Sequence, residues 1–175
     1  MDWESLTRIA SALGIKPTDR ILVVRIRPST AQLFVNRTLQ KAYTVSTSRQ
    51  PPSNVKGSLG TPRGLHEIAE RIGSGQSPGM VFKARVPTGR HFIEWPETEG
   101  NLITSRILWL RGLEPGLNRG GDVDTYNRYV YIHGTQHEDR VGQPISAGCV
   151  LLRNADVVEL YEIVRAGDWV WIVDE

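Results

Sequence analysis

One cysteine and one nearby histidine carry the chemistry that this sequence offers. Cys149 is the only cysteine in 175 residues, and His133 is one of only four histidines. A thiol attacks a carbonyl as the thiolate, and an imidazole within hydrogen-bond reach can take its proton and later give it to a leaving amine. A glycine flanks each of them, Gly134 after the histidine and Gly148 before the cysteine. The pair indicates nucleophilic acyl chemistry; the alternative is that both side chains are only structural.

The segments around the pair predict how the two side chains are held. Residues 129–132 form an apolar run, which predicts a buried strand ending at His133. Gly148 permits a sharp turn that could direct backbone N–H groups at a developing oxyanion. Residues 154–165 carry apolar side chains at helical spacing, so a helix is predicted after Cys149. If the cysteine lies just before that helix, the helix N-terminus favours the thiolate.

The rest of the chain predicts a first helix and several strands. An apolar stripe over residues 3–13, stopped by Gly14, predicts a first helix. In the second helix, Asn154 or Asp156 is a candidate N-cap and Gly167 a candidate left-handed stop. Strands are predicted at residues 21–26, 32–35, 39–45, 65–69, 80–86 and 169–173.

Some segments leave alternatives open. Residues 102–113 fit either a strand or a short helix, because their apolar pattern has no clear period. The type of the hairpin turn at residues 36–37 is also open, since it lacks Asn-Gly. The glycine-rich loop 114–125 runs directly into the His133 strand, so we predict that it forms a wall of the active cleft.

Composition excludes several classes of protein. A length of 175 residues with 39% hydrophobic content suits one domain with a proper core. The net charge of +2 and the lack of a basic run predict no nucleic-acid partner. No window is long enough for a membrane span, and the N-terminus lacks a secretion signal. These features predict a cytoplasmic protein if the chain is native, or a periplasmic or cell-envelope protein if it is trimmed.

The motifs around the pair resemble the L,D-transpeptidase catalytic domain, also called the YkuD-type domain. That family has an apolar strand ending in His-Gly, then Ser/Thr-His-Gly-Cys-apolar-Arg and a following Asn. Residues 131–135 (YIHGT) and 146–154 (SAGCVLLRN) match this pattern, as do 60–64 (GTPRG) and 167–172 (GDWVWI). The resemblance covers roughly residues 20 to 173. It implies a mainly β fold with a few helices, of the α+β class, with a curved mixed β-sheet or sandwich.

The resemblance also implies a division of the chain and two departures from the family. Residues 1–19 are expected to form an N-terminal helix and linker packed on a catalytic domain of residues 20–175. The family's histidine between Ser and Gly is Ala147 here, and its arginine after the cysteine is Leu151. Arg153, two residues further on, is a candidate replacement for that arginine.

By this resemblance, the enzyme acts on peptidoglycan tetrapeptide stems. Cys149 attacks the carbonyl between a diamino acid and the terminal D-alanine, and His133 takes the thiol proton while the Gly134 carbonyl orients the imidazole. Backbone N–H groups of Ala147, Gly148 and Cys149 are expected to hold the oxyanion. The candidate substrate-binding residues are Ser146, Arg153, Tyr131, Arg119 and Arg128. No metal or organic cofactor is required, and carbapenem-type inhibitors are expected ligands.

The acyl acceptor and two further readings stay open. An amine acceptor makes the enzyme a transpeptidase, whereas water makes it an L,D-carboxypeptidase in cytoplasmic murein peptide recycling. Metal hydrolysis by His133 and His137, four residues apart, is a different class, but Gly134 disfavours the helix that this spacing needs. A catalytically inactive binding module is the third reading, and it is favoured by Ala147 and Leu151.

Overall fold

The fold was analysed in a computed structural model that describes residues 1–95 and 100–175. These residues contain two α-helices and ten strands. The helices are α1 (Trp3–Leu13) and α2 (Asn154–Ile163), and the strands are β1 (Arg20–Arg25), β2 (Thr30–Val35), β3 (Thr38–Thr44), β4 (Gly64–Ile72), β5 (Met80–Lys83), β6 (Val86–His91), β7 (Ile103–Gly112), β8 (Tyr131–Gly134), β9 (Val150–Leu152) and β10 (Trp169–Val173).

The ten described strands form one open mixed sheet. Its order is β3-β2-β1-β10-β4-β7-β5-β6, and β8 leaves this path by pairing with β7 on one side and β9 on the other. The β1–β10 and β8–β9 pairs are parallel, and the remaining pairs are antiparallel. The predicted class, a mainly β fold with a few helices and a mixed sheet, is confirmed.

The centre of the sheet is buried on both faces, which explains its continuous apolar runs. In β10, Val170 and Ile172 face the cluster that α2 covers, while Trp169 and Trp171 face the cluster that α1 covers. A strand covered on both faces loses the alternation of polar and apolar residues. The strand over 21–26 and the strand over 169–173 were therefore recognisable in sequence by composition rather than by period.

The ends of α1 follow the sequence signals, whereas those of α2 do not. Gly14 adopts φ 66° and stops α1 in the left-handed region, as predicted. In α2, the N-cap position is Arg153, whose side chain makes no capping bond; instead the carboxylate of Glu138 accepts the Asn154 N–H at 2.6 Å. The predicted stop at Gly167 is wrong, because α2 ends at Ile163. Neither helix of the described chain has the length and apolarity that a bilayer crossing needs.

Tertiary pairing resolves the two ambiguous segments. Residues 103–112 form β7, a strand that pairs with β4, β5 and β8, so the helical alternative is wrong. The turn between β2 and β3 has positive φ at both central residues, 48° at Asn36 and 66° at Arg37. Such angles define a type I′ turn, whose twist matches that of the flanking strands.

His66 is a buried structural histidine that joins β4 to the chain leading into β8. Its Nδ1 lies 3.0 Å from the Gly64 carbonyl oxygen and its Nε2 lies 3.1 Å from the Thr125 hydroxyl. Because a carbonyl only accepts, Nδ1 carries the ring proton and Nε2 accepts from the hydroxyl. Burial lowers the pKa of His66 to about 4, so the ring is neutral at neutral pH.

The depressed pKa of His66 predicts that its contribution to stability depends on pH. Below pH 6.5 the unfolded chain takes up a proton that the folded ring binds only near pH 4, so stability falls as pH falls through this window. The loss is at most about 1.4 kcal/mol per pH unit for this residue. Urea unfolding of the wild type and His66→Gln between pH 4 and 7.5 measures it. The difference between the two free energies of unfolding should shrink toward pH 4; a constant difference would contradict the assignment.

Candidate active site

The parallel pairing of β8 with β9 places His133 and Cys149 on one face of the sheet. Ile132 and Val150 are register partners, and both face the core under α2. Because strand side chains alternate, Tyr131 and His133 face the other way. Cys149 precedes β9 by one residue and packs against the cluster that contains Tyr131. With strands about 4.8 Å apart and about 3.3 Å per residue, the Cα atoms of His133 and Cys149 lie about 8 Å apart.

Ser146 braces the turn that carries the cysteine. Its hydroxyl donates to the Cys149 carbonyl oxygen at 2.6 Å and accepts the Gly148 N–H at 3.1 Å. Gly148 has φ 120°, a value that side-chain-bearing residues rarely adopt. The Ser146 N–H donates to the Thr47 carbonyl at 3.0 Å, which fixes the turn to the chain following β3. The hydroxyl of Ser146 is therefore buried and bonded within the turn, and its contact with substrate stays a prediction.

Gly134 is needed because polar groups approach its Cα closely. A Cβ there would lie 2.6 Å from Asn154 Oδ1 and 2.7 Å from the Thr104 hydroxyl oxygen. The buried Asn154 side chain accepts from Thr104 at 2.6 Å and from Ser105 at 2.5 Å, and donates to the Thr135 carbonyl at 3.0 Å. This network ties the end of β8 to β7 and α2, and so fixes the backbone beside His133.

The imidazole of His133 is held in the tautomer that a general base needs. Its Nδ1 lies 2.7 Å from the Gly134 carbonyl oxygen. Since that oxygen can only accept, Nδ1 carries the proton and Nε2 keeps its lone pair. Burial, which leaves 3% of the residue exposed, lowers the pKa of His133 to about 4, while the Gly134 carbonyl partly opposes this shift. The ring is neutral at neutral pH.

The thiol of Cys149 is protonated at neutral pH in this arrangement. Burial raises its pKa to about 11, although the Tyr131 N–H and the positive charge of Arg128 act in the opposite direction. The sulfur accepts the Tyr131 N–H at 3.3 Å and lies 3.7 Å from the Tyr129 carbonyl oxygen, to which it donates. The predicted help from a helix N-terminus is absent, because β9 separates the cysteine from α2.

Cys149 and His133 share a face but not a hydrogen bond in this conformation. The hydrogen-bond partners of the sulfur among the described residues are the two backbone groups of Tyr129 and Tyr131. The ring of Tyr131 stands edge-on to the imidazole, with centroids 6.5 Å apart. Direct proton transfer therefore requires the Cys149 side chain to turn toward Nε2, and catalytic hydrogen bonds are often long before substrate binds.

A cavity of about 230 Å³ opens at the cysteine. Its walls come from the loop before β4, the chain before β8 and the cysteine turn. The lining residues are Lys56, Gly57, Leu59, Asn127, Arg128, Tyr129, Val130, Ala147, Gly148 and Cys149. Arg128 joins two walls by donating to the Ser53 carbonyl at 3.0 Å and the Gly60 carbonyl at 2.7 Å.

The predicted cleft wall at residues 114–125 is wrong, because none of them lines this cavity. That segment packs behind β4, where the buried Asn118 side chain donates to the Leu65 carbonyl at 3.0 Å. The wall is instead formed by residues 56–59 and 127–130. Sequence carried no clear signal for Tyr129, which is 55% exposed beside the cysteine and has φ 56°.

The structure places the other candidate substrate-binding residues in different surroundings. Arg128 lines the cavity, whereas Arg119 lies in an exposed turn whose N–H donates to the Glu114 carbonyl. Arg153 is exposed at the start of α2 and does not line the cavity. Leu151, at the position of the family's arginine, is fully buried in β9.

The metal-binding alternative lacks the helix that it requires. His133 ends a strand, and His137 lies after it, at the start of a short 3₁₀ helix, Glu138–Arg140. The Nε2 atom of His137 contacts the Gln136 amide at 3.1 Å. The two histidines therefore do not project from one helix face, as the motif's spacing assumes.

Comparisons with known proteins agree with this fold. Residues 19–172 match the L,D-transpeptidase catalytic domain family of the YkuD type. A putative L,D-transpeptidase, YqjB of Bacillus subtilis, is 39% identical over 51 residues, which are 29% of each chain. The chain belongs to the L,D-transpeptidase family, because the family match over residues 19–172 covers most of its length.

Solved structures show the same fold at low sequence identity. An L,D-transpeptidase from Mycobacterium smegmatis aligns with a TM-score of 0.56 and 19% identity, over 89% of this chain and 58% of that one. L,D-transpeptidase 3 from Mycobacterium tuberculosis, in complex with a faropenem-derived adduct, aligns with a TM-score of 0.57 and 14% identity, over 88% and 60%. This chain thus spans under two thirds of the length of all three proteins.

The raised pKa of Cys149 predicts slow alkylation at neutral pH. Because the thiolate is the reactive form, the rate with iodoacetamide should rise about tenfold per pH unit from pH 7 toward 10. The rise should continue toward the pKa of about 11. Intact mass spectrometry measures one adduct, since Cys149 is the only cysteine. A rate already on a plateau at pH 7 would contradict the neutral thiol and indicate an ion pair with His133.

The crowding at Gly134 predicts that a methyl group there disturbs the histidine. Gly134→Ala should lose about 1–3 kcal/mol of stability, as overpacked sites do, and should shift the NMR resonances of the His133 ring. Gly89→Ala is the matched control, because its added methyl group meets open space. Its φ of 76° means that any loss of stability there comes only from backbone strain. Unchanged His133 resonances in Gly134→Ala would show that the close approach does not position the ring.

Proposed function

We propose that this protein is a cysteine acyl-transfer enzyme that cleaves the bond between the diamino acid and D-alanine of peptidoglycan tetrapeptide stems. One observation carries the proposal. The Nδ1 of His133 donates to the Gly134 carbonyl at 2.7 Å, which leaves the lone pair of Nε2 free on the face of the sheet that Cys149 shares. A neutral imidazole on the same face of the sheet as a thiol that lines an open cavity suits nucleophilic acyl transfer.

In the proposed acylation step, a neutral thiol reacts with a neutral base. The Cys149 side chain turns from the Tyr129 carbonyl toward Nε2 of His133, which takes the thiol proton as sulfur attacks the stem carbonyl. The carbon–nitrogen bond to D-alanine breaks, the imidazolium gives its proton to the departing amine, and a thioester remains. The pKa of the thiol lies above that of the imidazole, so proton transfer accompanies attack instead of preceding it.

The cysteine turn supplies the proposed oxyanion hole. Ala147, Gly148 and Cys149 line the cavity, and their backbone N–H groups are the proposed donors, each typically worth about 3 kcal/mol in the transition state. The Gly148 N–H already has an acceptor in Ser146, so its participation requires that bond to lengthen. The missing histidine side chain at Ala147 leaves these backbone donors in place.

In the second step an amine of another stem takes the acyl group, which makes the protein a transpeptidase. Water as acceptor would make it an L,D-carboxypeptidase. Incubation with and without an amine acceptor distinguishes the two activities. The faropenem-derived adduct on the mycobacterial relative supports β-lactams as acylating ligands of the same site. Within this proposal, residues 20–175 form the catalytic domain and residues 1–19 pack on it through Leu6 and Ala10 of α1.

The test is incubation with a soluble stem tetrapeptide, with and without an amine acceptor, followed by product mass. We expect release of D-alanine and an amide product with the amine. Cys149→Ser and His133→Gln should each lower kcat by about 10³-fold or more, since nucleophile and base act as a unit. His137→Gln, a histidine outside the cavity, is the control and should retain activity. Release of D-alanine without any amide product would identify the carboxypeptidase, and no product together with no carbapenem adduct would refute the proposal.

A further inference from the structure

Arg85 is held rigidly beside the proposed active site. It lies at the turn between β5 and β6, and its guanidinium stacks over the ring of Trp109 at 4.7 Å and of Tyr129 at 5.4 Å. Its Nη1 donates to the Tyr131 hydroxyl at 3.2 Å. Stacking on two aromatic rings and a hydrogen bond to a third aromatic residue restrict a side chain that is otherwise among the most flexible, so its donors are already oriented.

The residues that hold Arg85 also hold the sulfur. The Tyr131 backbone N–H donates to the Cys149 sulfur, and the Tyr131 hydroxyl accepts from Arg85. In the same way, the Tyr129 carbonyl accepts from the sulfur, and the Tyr129 ring stacks with the guanidinium. The distance from the guanidinium to the Cys149 sulfur is therefore roughly the length of one tyrosine side chain. A substrate whose carbonyl meets the sulfur can place the end of a long side chain at this distance.

The surroundings of Arg85 favour an anion. Within residues 1–95 and 100–175, no carboxylate lies within 4.0 Å of its guanidinium. The carboxylate whose negative charge acts on Arg85 is that of Glu70, which accepts a hydrogen bond from the hydroxyl of Tyr126. The lining of the cavity contains Lys56 and Arg128 but no Asp or Glu. An arginine that is ordered, half-buried and not ion-paired in these residues is suited to bind a carboxylate through two parallel N–H donors.

We propose that Arg85 is a specificity-determining residue that binds a free carboxylate at the end of the diamino acid side chain. This inference rests on the proposed function and names the class of stem that the site prefers. Stems whose diamino acid ends in a carboxylate bind through the guanidinium, whereas those ending in a carboxamide lose the charged hydrogen bonds. A lysine at this position replaces the charge of Arg85 but not the planar, two-donor geometry of its guanidinium.

The test uses two synthetic tetrapeptides that differ only in that terminal group, carboxylate or carboxamide. The wild type should prefer the carboxylate by about tenfold or more in kcat/KM, the size expected for a charge-assisted hydrogen bond. In Arg85→Gln this preference should disappear through a rise in KM for the carboxylate peptide alone. Arg85→Lys should keep only part of it. Arg90→Gln, an arginine of the same hairpin that stacks over Trp95 at 5.0 Å, is the control and should keep all of it.

Two outcomes would overturn the inference: an equal loss for both peptides in Arg85→Gln, which shows a structural role, or an unchanged preference. If the wild type processes neither peptide, the proposed function fails, and binding then decides the inference separately. Calorimetry with Cys149→Ser would compare the affinities of the two peptides. A preference for the carboxylate that Arg85→Gln abolishes supports the subsite, and equal affinities or no binding overturn it.

Discussion

The short parallel pair of β8 and β9 is the constraint on which the candidate site depends. β9 has only three residues, and it is held between β8 and the chain after β3, where Ser46 and Leu151 exchange backbone hydrogen bonds of 2.9 and 2.8 Å. Because parallel partners present side chains to the same face, this pairing brings together a histidine and a cysteine that are 16 positions apart in sequence. A slip of one residue would turn the cysteine toward the core under α2.

Burial gives the site both its order and its neutral charge state. Taking an imidazole and a thiol out of water disfavours their ions, so the pKa of His133 falls and that of Cys149 rises. The Gly134 carbonyl fixes the tautomer without supplying a negative charge, unlike the carboxylate of a serine-protease triad. The uncharged thiol of Cys149 lies in a cavity whose lining includes the cations Lys56 and Arg128.

The departures from the family pattern have structural counterparts in the fold. Leu151 is fully buried in β9, where an apolar residue packs well, and Ala147 is exposed at the rim of the cavity. The bracing of the cysteine turn comes instead from Ser146 and from the backbone of Thr47. Tyr129 beside the sulfur has a strained backbone with positive φ; its carbonyl accepts from the sulfur and its ring stacks with Arg85.

The sequence alone determined the class of fold through the resemblance of its motifs to a known family, because short motifs are local properties of the chain. The same motifs predicted Cys149 and His133 as the catalytic pair. The sequence also determined α1 with its stop at Gly14 and the strand over 169–173. Only the tertiary structure decided that residues 103–112 are a strand, since three neighbouring strands supply their hydrogen bonds. It also decided which segments line the cavity and that the thiol of Cys149 is protonated, because both depend on contacts between segments far apart in sequence.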